Sequence, residues 1–222
     1  MSYPNAASGV SKIRTGAILT LIATFCSIIA YIFAGAGVGA ALNSKSLEGA
    51  VGSAIGGLVG VIIFAIADGV FTLIAFILTL IGTIKGMKDE KAFSTAMIFV
   101  IIGNVCTIIS LILTTKKAGS VFKLIGSIAS IAAIVFIIFG VRNLAQRIRN
   151  SEVAEKSKSL VIISAIVCVL VLVSNIIILA SGGLTAGAVG VAFSIIASVL
   201  NIVLLFIYIG YLGKGKAMLE TA

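Results

Sequence analysis

The chain has 222 residues, 60% hydrophobic and 10% charged, with a net charge of +9. A soluble domain carries about 25% charge and about 45–50% apolar residues, so no soluble core of this size hides so much apolar surface. The sequence has no histidine, which excludes histidine metal sites, Ser–His and Cys–His nucleophile pairs and HExxH chemistry.

The polar start, MSYPNAASGVSKIRTG, leads into a first apolar span over about Ile13 to Ala36. That span is too long for a secretory signal core and has no convincing A-x-A end, so it reads as a retained crossing. The second span lies within Gly49 to Ile84. Its 36 residues would make a helix of about 54 Å against a hydrocarbon core of about 30 Å, so its lipid-buried part is expected to begin near Gly56. Gly52, Gly56, Gly60 and Asp68 are separated by multiples of four, and are expected to share a face that packs on neighbouring helices. Asp68 is the one charge expected at membrane depth. An acid there costs about 2.5–3.5 kcal/mol on insertion scales, so it is expected to face the protein interior.

The third span covers about Ala92 to Thr114 and the fourth about Val121 to Val141, with Gly126 and Ser130 as its small-residue pair. The fifth runs over about Leu160 to Ala180. The sixth runs over about Ala188 to Leu212 and carries a ladder of Gly190, Ser194 and Ser198. Long apolar runs without period-two alternation are helices, because lipid leaves no other partner for their backbone groups. The expected fold is therefore all-α: a polytopic membrane bundle of six transmembrane helices in a single domain.

An internal pattern divides it into three hairpins, about 12–88, 89–150 and 151–216. The odd spans share Phe25-Cys26-Ser27-Ile28-Ile29, Val105-Cys106-Thr107-Ile108-Ile109 and Val173-Ser174-Asn175-Ile176-Ile177. The even spans end alike at Gly82, Gly140 and Gly210, each a few residues before a basic residue. Parallel repeats of this kind would stand about an axis along the membrane normal, with the small-residue ladders of the even spans at the centre.

With the N-terminus inside, twelve of the 16 basic residues fall in inner segments and four, Lys45, Lys116, Lys117 and Lys123, in outer ones. The positive-inside rule then places both termini in the cytoplasm, in the cytoplasmic membrane. The basic residues flank apolar spans, which fits contact with anionic lipid headgroups and not nucleic acid.

Candidate chemistry is sparse. Asn104, Asn175 and Asn201 are the other polar residues at depth, and could converge with Asp68 as oxygen ligands for a small cation or simply bond helices together. Cys26, Cys106 and Cys168 have no CxxC spacing and read as small buried hydrophobes. The glycine-rich stretches lack the GxxxxGK[ST] phosphate loop. No cofactor or metal is called for and no catalytic constellation is present, so the expected protein is not an enzyme. Two readings remain: a small channel-like or carrier-like protein centred on Asp68, or a structural protein that assembles as a homo-oligomer through its small-residue seams.

Overall fold

A computed structural model describes the backbone of residues 3–44, 46–113, 116–180 and 184–222. Side chains are described for these except 38, 41, 42, 47, 50, 116, 117, 174, 175, 178–180, 184–195 and 197. The chain forms α1 (Pro4–Asn43), α2 (Leu47–Gly86), α3 (Ala92–Ile112), α4 (Lys116–Arg147), α5 (Ser151–Ala180) and α6 (Leu184–Glu220). All six contain stretches long and apolar enough to cross a membrane. The fold is all-α, and its arrangement is compatible with three hairpin repeats.

The helices outrun the apolar spans. α3, with 21 residues, is about 31 Å long and matches one crossing, whereas α1 and α2, with 40 residues each, are about 60 Å long. α4 continues to Arg147, α5 begins at Ser151 instead of near Leu160, and α6 continues to Glu220 instead of ending near Leu212. The extra turns hold Lys, Arg, Glu and Gln, which are good helix formers. Apolarity marks where a helix meets lipid, not where its hydrogen-bond ladder ends.

The chain divides into two compact units, Met1–Ala17 with Phe76–Ala222, and Ile18–Ala75. In the larger unit α4 packs on α3, α5 and α6, and α5 packs on α6. The core is apolar and is contributed by Val10 and Ile13 of α1, Phe93 of α3, Ile137, Ile138 and Leu144 of α4, Leu160 of α5, and Leu204 and Leu212 of α6. Phe93 is fully buried because two glycines make room for its ring. A Cβ on Gly86 would lie 2.7 Å from Phe93 Cγ, and one on Gly140 would lie 2.8 Å from Cε2. α1 and α2 meet as closely at Gly9 and Gly82, where a Cβ on Gly9 would lie 2.6 Å from the Gly82 carbonyl oxygen.

The repeat motif has a packing counterpart here. Gly82 lies against Ile13 and Gly140 against Phe93, so each exit glycine touches the first large buried residue of its own hairpin's odd span. The third hairpin departs, because a Cβ on Gly210 would meet open space.

The smaller unit is a two-helix hairpin with a single seam. Gly37 of α1 and Gly57 of α2 pack backbone to backbone, each Cβ position falling within 2.8 Å of the other glycine's Cα. Phe33 covers Gly60 and stacks on Phe64 with ring centroids 5.7 Å apart. The outer surfaces of this hairpin carry exposed Ile55, Leu58, Ile63, Ile66 and Leu73.

Candidate functional site

The position of Asp68 follows from the seam. At about 100° per residue, Asp68 stands about 20° from Gly57 around α2, on the stripe that faces α1. Gly56 is about 100° from Gly57, and Gly52 is about 160° from Asp68. Steps of four residues advance about 40° each, so the four positions spread over nearly half the helix surface and do not form one face. Gly60 is in the seam, whereas a Cβ on Gly52 or Gly56 would meet nothing within 4 Å. The residue that does the packing is Gly57, one position beyond Gly56.

The antiparallel register of Gly37 against Gly57 puts Asp68, eleven residues further along α2, level with Cys26, eleven residues back along α1. The Asp68 carboxyl is half-buried, and Thr72 Oγ1 donates to its Oδ1 at 3.5 Å, the long limit of a hydrogen bond. The three cysteines are free and half-buried.

Asn104 and Asn201 belong to the larger unit and Asp68 to the smaller. Asn104 Nδ2 donates to the Val100 carbonyl of its own helix at 2.8 Å, and Asn201 is half-buried on α6. The side chains of Asn175, Gly190 and Ser194 lie outside the described residues, as do those of Ser174, Lys45, Lys116 and Lys117 and all of residues 181–183. Ser198 is exposed on α6. Among the described residues no group of three or more Cys, Asp or Glu could hold a metal ion.

Gly126 and Ser130 pack on Gly103, inside the α3–α4 hairpin. A Cβ on Gly103 would lie 2.8 Å from Ser130 Oγ, and one on Gly126 would lie 3.1 Å from the Gly103 carbonyl oxygen. Among the described residues the three glycine contacts between helices, Gly9–Gly82, Gly37–Gly57 and Gly103–Gly126, thus join an odd helix to the even helix that follows it, rather than one even helix to another.

Hydroxyls at depth are satisfied locally. Thr107 donates to Gly103 O, Ser130 to Gly126 O, Ser164 to Leu160 O and Thr83 to Leu80 O, at 2.8–2.9 Å. Each closes on its own helix, so Thr83 and Ser164 enter the apolar interior with their hydrogens already bonded, and the more exposed Thr107 and Ser130 are satisfied in the same way.

Most of the described ionic chemistry lies at the end of the larger unit that carries the α2–α3 and α4–α5 turns. Glu90 is only 7% exposed. Asn143 Nδ2 donates to its Oε1 at 3.0 Å, and Arg147 Nη2 stands 2.7 Å from Oε2 as an ion pair without hydrogen-bond alignment. Asp89 accepts the Ala6 backbone N–H at 2.7 Å and Asn5 Nδ2 at 3.4 Å. Glu152, in the polar first turn of α5 outside the hydrocarbon, accepts from Lys214 at 2.6 Å and Lys156 at 2.9 Å. The hydrogen bond from Lys214, then that from Lys156, lowers its carboxyl from 4.5 to about 2. The Arg14 guanidinium rests against Gly213, and Tyr211 Oη donates to the Ile138 carbonyl at 3.3 Å.

Little of this network shows in the sequence, where the same residues read as solvated loops. The one available signal is the run Asp89-Glu90-Lys91-Ala92-Phe93, in which an acid sits three residues before a large apolar side chain that the core buries. No protein-family model, curated protein or solved structure matches this chain.

Proposed function

We propose that this chain is a non-enzymatic multi-pass protein of the cytoplasmic membrane, both ends in the cytoplasm, with a structural role in which the 18–75 hairpin associates with further copies. The observation that carries this reading is the interior of the larger unit. Among the described residues its buried polar side chains are Thr83, Glu90, Ser157 and Ser164, and Tyr208, Tyr211, Arg14 and Arg142 also bury polar atoms there. The Thr83, Ser157 and Ser164 hydroxyls bond to their own helices, and Glu90 is paired at the charged end. So few buried polar side chains among so many apolar ones support a packing role over an ion path. Gly52 and Gly56, with open space where a Cβ would stand, leave bare backbone on α2 against which a second helix can close.

Counting subunits by photobleaching in a planar bilayer tests it. The wild type is expected to show more than one copy per spot, and Gly52→Leu/Gly56→Leu to shift the distribution to single copies. A monomeric wild type overturns the reading.

Asp68 favours a second reading, a carrier-like protein for a cation or small solute. It stands on the α1-facing stripe of α2, and among the described residues Thr72 is the group bonded to its carboxyl. Flux into liposomes with wild type and Asp68→Asn decides between the two. Flux that the substitution abolishes replaces the structural role with transport, and unchanged flux removes Asp68 from any transport step.

A further inference from the structure

The larger unit has an open groove of about 550 Å³ where the start of α1 meets the end of α6. Ser8, Ser11 and Lys12 form one wall, and Lys216, Leu219 and Glu220 form the other. Lys85 reaches the same place from α2, its Nζ donating to Ser8 Oγ at 3.1 Å. Where the same two helices meet deeper in the bundle, the Arg14 guanidinium lies against Gly213, and its Nε is buried without a hydrogen-bond partner. Two lysines, Lys12 and Lys216, therefore line the groove, and Lys85 joins its wall through Ser8. The acids near them are Glu220, 3.5 Å from Lys216, and Asp89, which already caps α1 through Ala6 and Asn5. Positive charge is in excess, hydroxyl donors face in from one wall, and the volume is within the range of small-molecule sites, about 300–1,000 Å³. Ammonium groups on opposite walls suit a ligand with several anionic oxygens pointing in different directions, which is the geometry of a phosphate ester.

We propose that the α1–α6 groove is a binding site for a phosphate ester, held between Lys12 and Lys216 with Ser8 and Ser11 donating to its oxygens. A lipid headgroup and a soluble organic phosphate share this chemistry. Lys12 and Lys216 both stand at the borders of apolar spans, where headgroups also lie. Bound phosphate would tie the two ends of the chain together across the groove. This inference is independent of the structural role argued above.

The full-length protein in nanodiscs of phosphatidylcholine with one-tenth phosphatidylglycerol provides the test, with lipid retained after detergent exchange read by native mass spectrometry. Lys12→Gln/Lys216→Gln is compared with Lys88→Gln/Lys158→Gln, which makes the same change in charge elsewhere. Wild type and the control pair are expected to retain phosphatidylglycerol over phosphatidylcholine, and the groove pair to retain at least five-fold less. A second arm measures the melting temperature in detergent with glycerol 3-phosphate. A rise in wild type that the groove pair loses, without lipid preference, assigns the site to a soluble phosphate ester. Ser8→Ala/Ser11→Ala keeps every charge, and is expected to weaken retention or the melting shift by a smaller factor. If the groove pair and the control pair behave alike in both arms, the proposal is overturned.

Discussion

Asp89 shows how far in sequence a helix cap can be supplied. α1 begins at Pro4, whose fixed φ suits a first helical position and whose missing N–H costs nothing there. The next residues, Asn5 and Ala6, present a side-chain amide and an orphan backbone N–H, and both are met by the Asp89 carboxylate from 83–84 residues away. A carboxylate at this end also opposes the positive pole of the helix. Asp89→Ala is expected to lower stability by about 1 kcal/mol, read as a fall in thermal midpoint in detergent; an unchanged midpoint would show that solvent caps α1 equally well. The neighbouring pair Gly56 and Gly57 separates seam from surface more sharply. A Cβ on Gly57 would fall 2.7 Å from Gly37 Cα, backbone that has no rotamer to yield, so Gly57→Ala is expected to cost about 1–3 kcal/mol. Gly56→Ala meets open space and gains helix propensity, so the midpoint should hold or rise slightly. Counting by fours in the sequence finds a glycine-rich helix but passes over Gly57, the member of this pair that meets α1. The exact face depends on the 3.6-residue turn and on where Gly37 happens to stand on the partner, and only packing fixes the second.

The turn between α4 and α5 is the element where local chemistry is most fully resolved. Asn150 N–H donates to Ala145 O at 2.8 Å and Arg149 N–H to Gln146 O at 3.1 Å, the paired bonds of a Schellman motif. The motif needs a left-handed residue, and Arg149 supplies it at φ 61°. Arg149→Gly is therefore expected to raise stability by about 1 kcal/mol; a lower thermal midpoint would mean that the arginine side chain holds the turn. Asn150 then starts the next helix, its Oδ1 accepting the Val153 N–H at 3.1 Å. One turn on, Glu152 joins α5 to Lys214 of α6. Its carboxyl is depressed from 4.5 to about 2 by those lysines. The sign follows from linkage: a depressed carboxyl stabilises the fold above about pH 4.5 and loses that contribution as pH falls toward about 2. A scan of melting temperature against pH should therefore show a steeper acid fall in wild type than in Glu152→Gln over that window, and parallel curves would remove the Glu152 clasp from the acid response. The sequence exposes the six lipid-crossing stretches because each is a long apolar run. It hides the capped turns and the polar helical extensions, since Glu152 or Arg147 looks the same in a loop as on the exposed end of a helix.

For the whole molecule, the position of the two chain ends constrains the topology. Ser8 and Ser11 near the start of α1 and Leu219 and Glu220 at the end of α6 line one groove, so both ends lie at the same end of the larger unit. A chain whose ends meet on one side crosses an even number of times, in keeping with six helices long enough to span. Which side that is rests on charge. By sequence, with the termini inside, twelve of the 16 basic residues are assigned to inner segments and four to outer ones. Translocating the richer set would oppose the bias that orients membrane helices. The prediction is read with two reporters. A fluorescent protein fused after Ala222 should fold and fluoresce in the cytoplasm, and alkaline phosphatase inserted after Leu113 at the far end of α3 should be active outside it. The reverse pair of signals would invert the bundle and place the phosphate-binding groove outside the cell. Fluorescence after Ala222 with an inactive phosphatase after Leu113 would instead put both points on one side, so that an even number of α4, α5 and α6 crosses and the count of six fails.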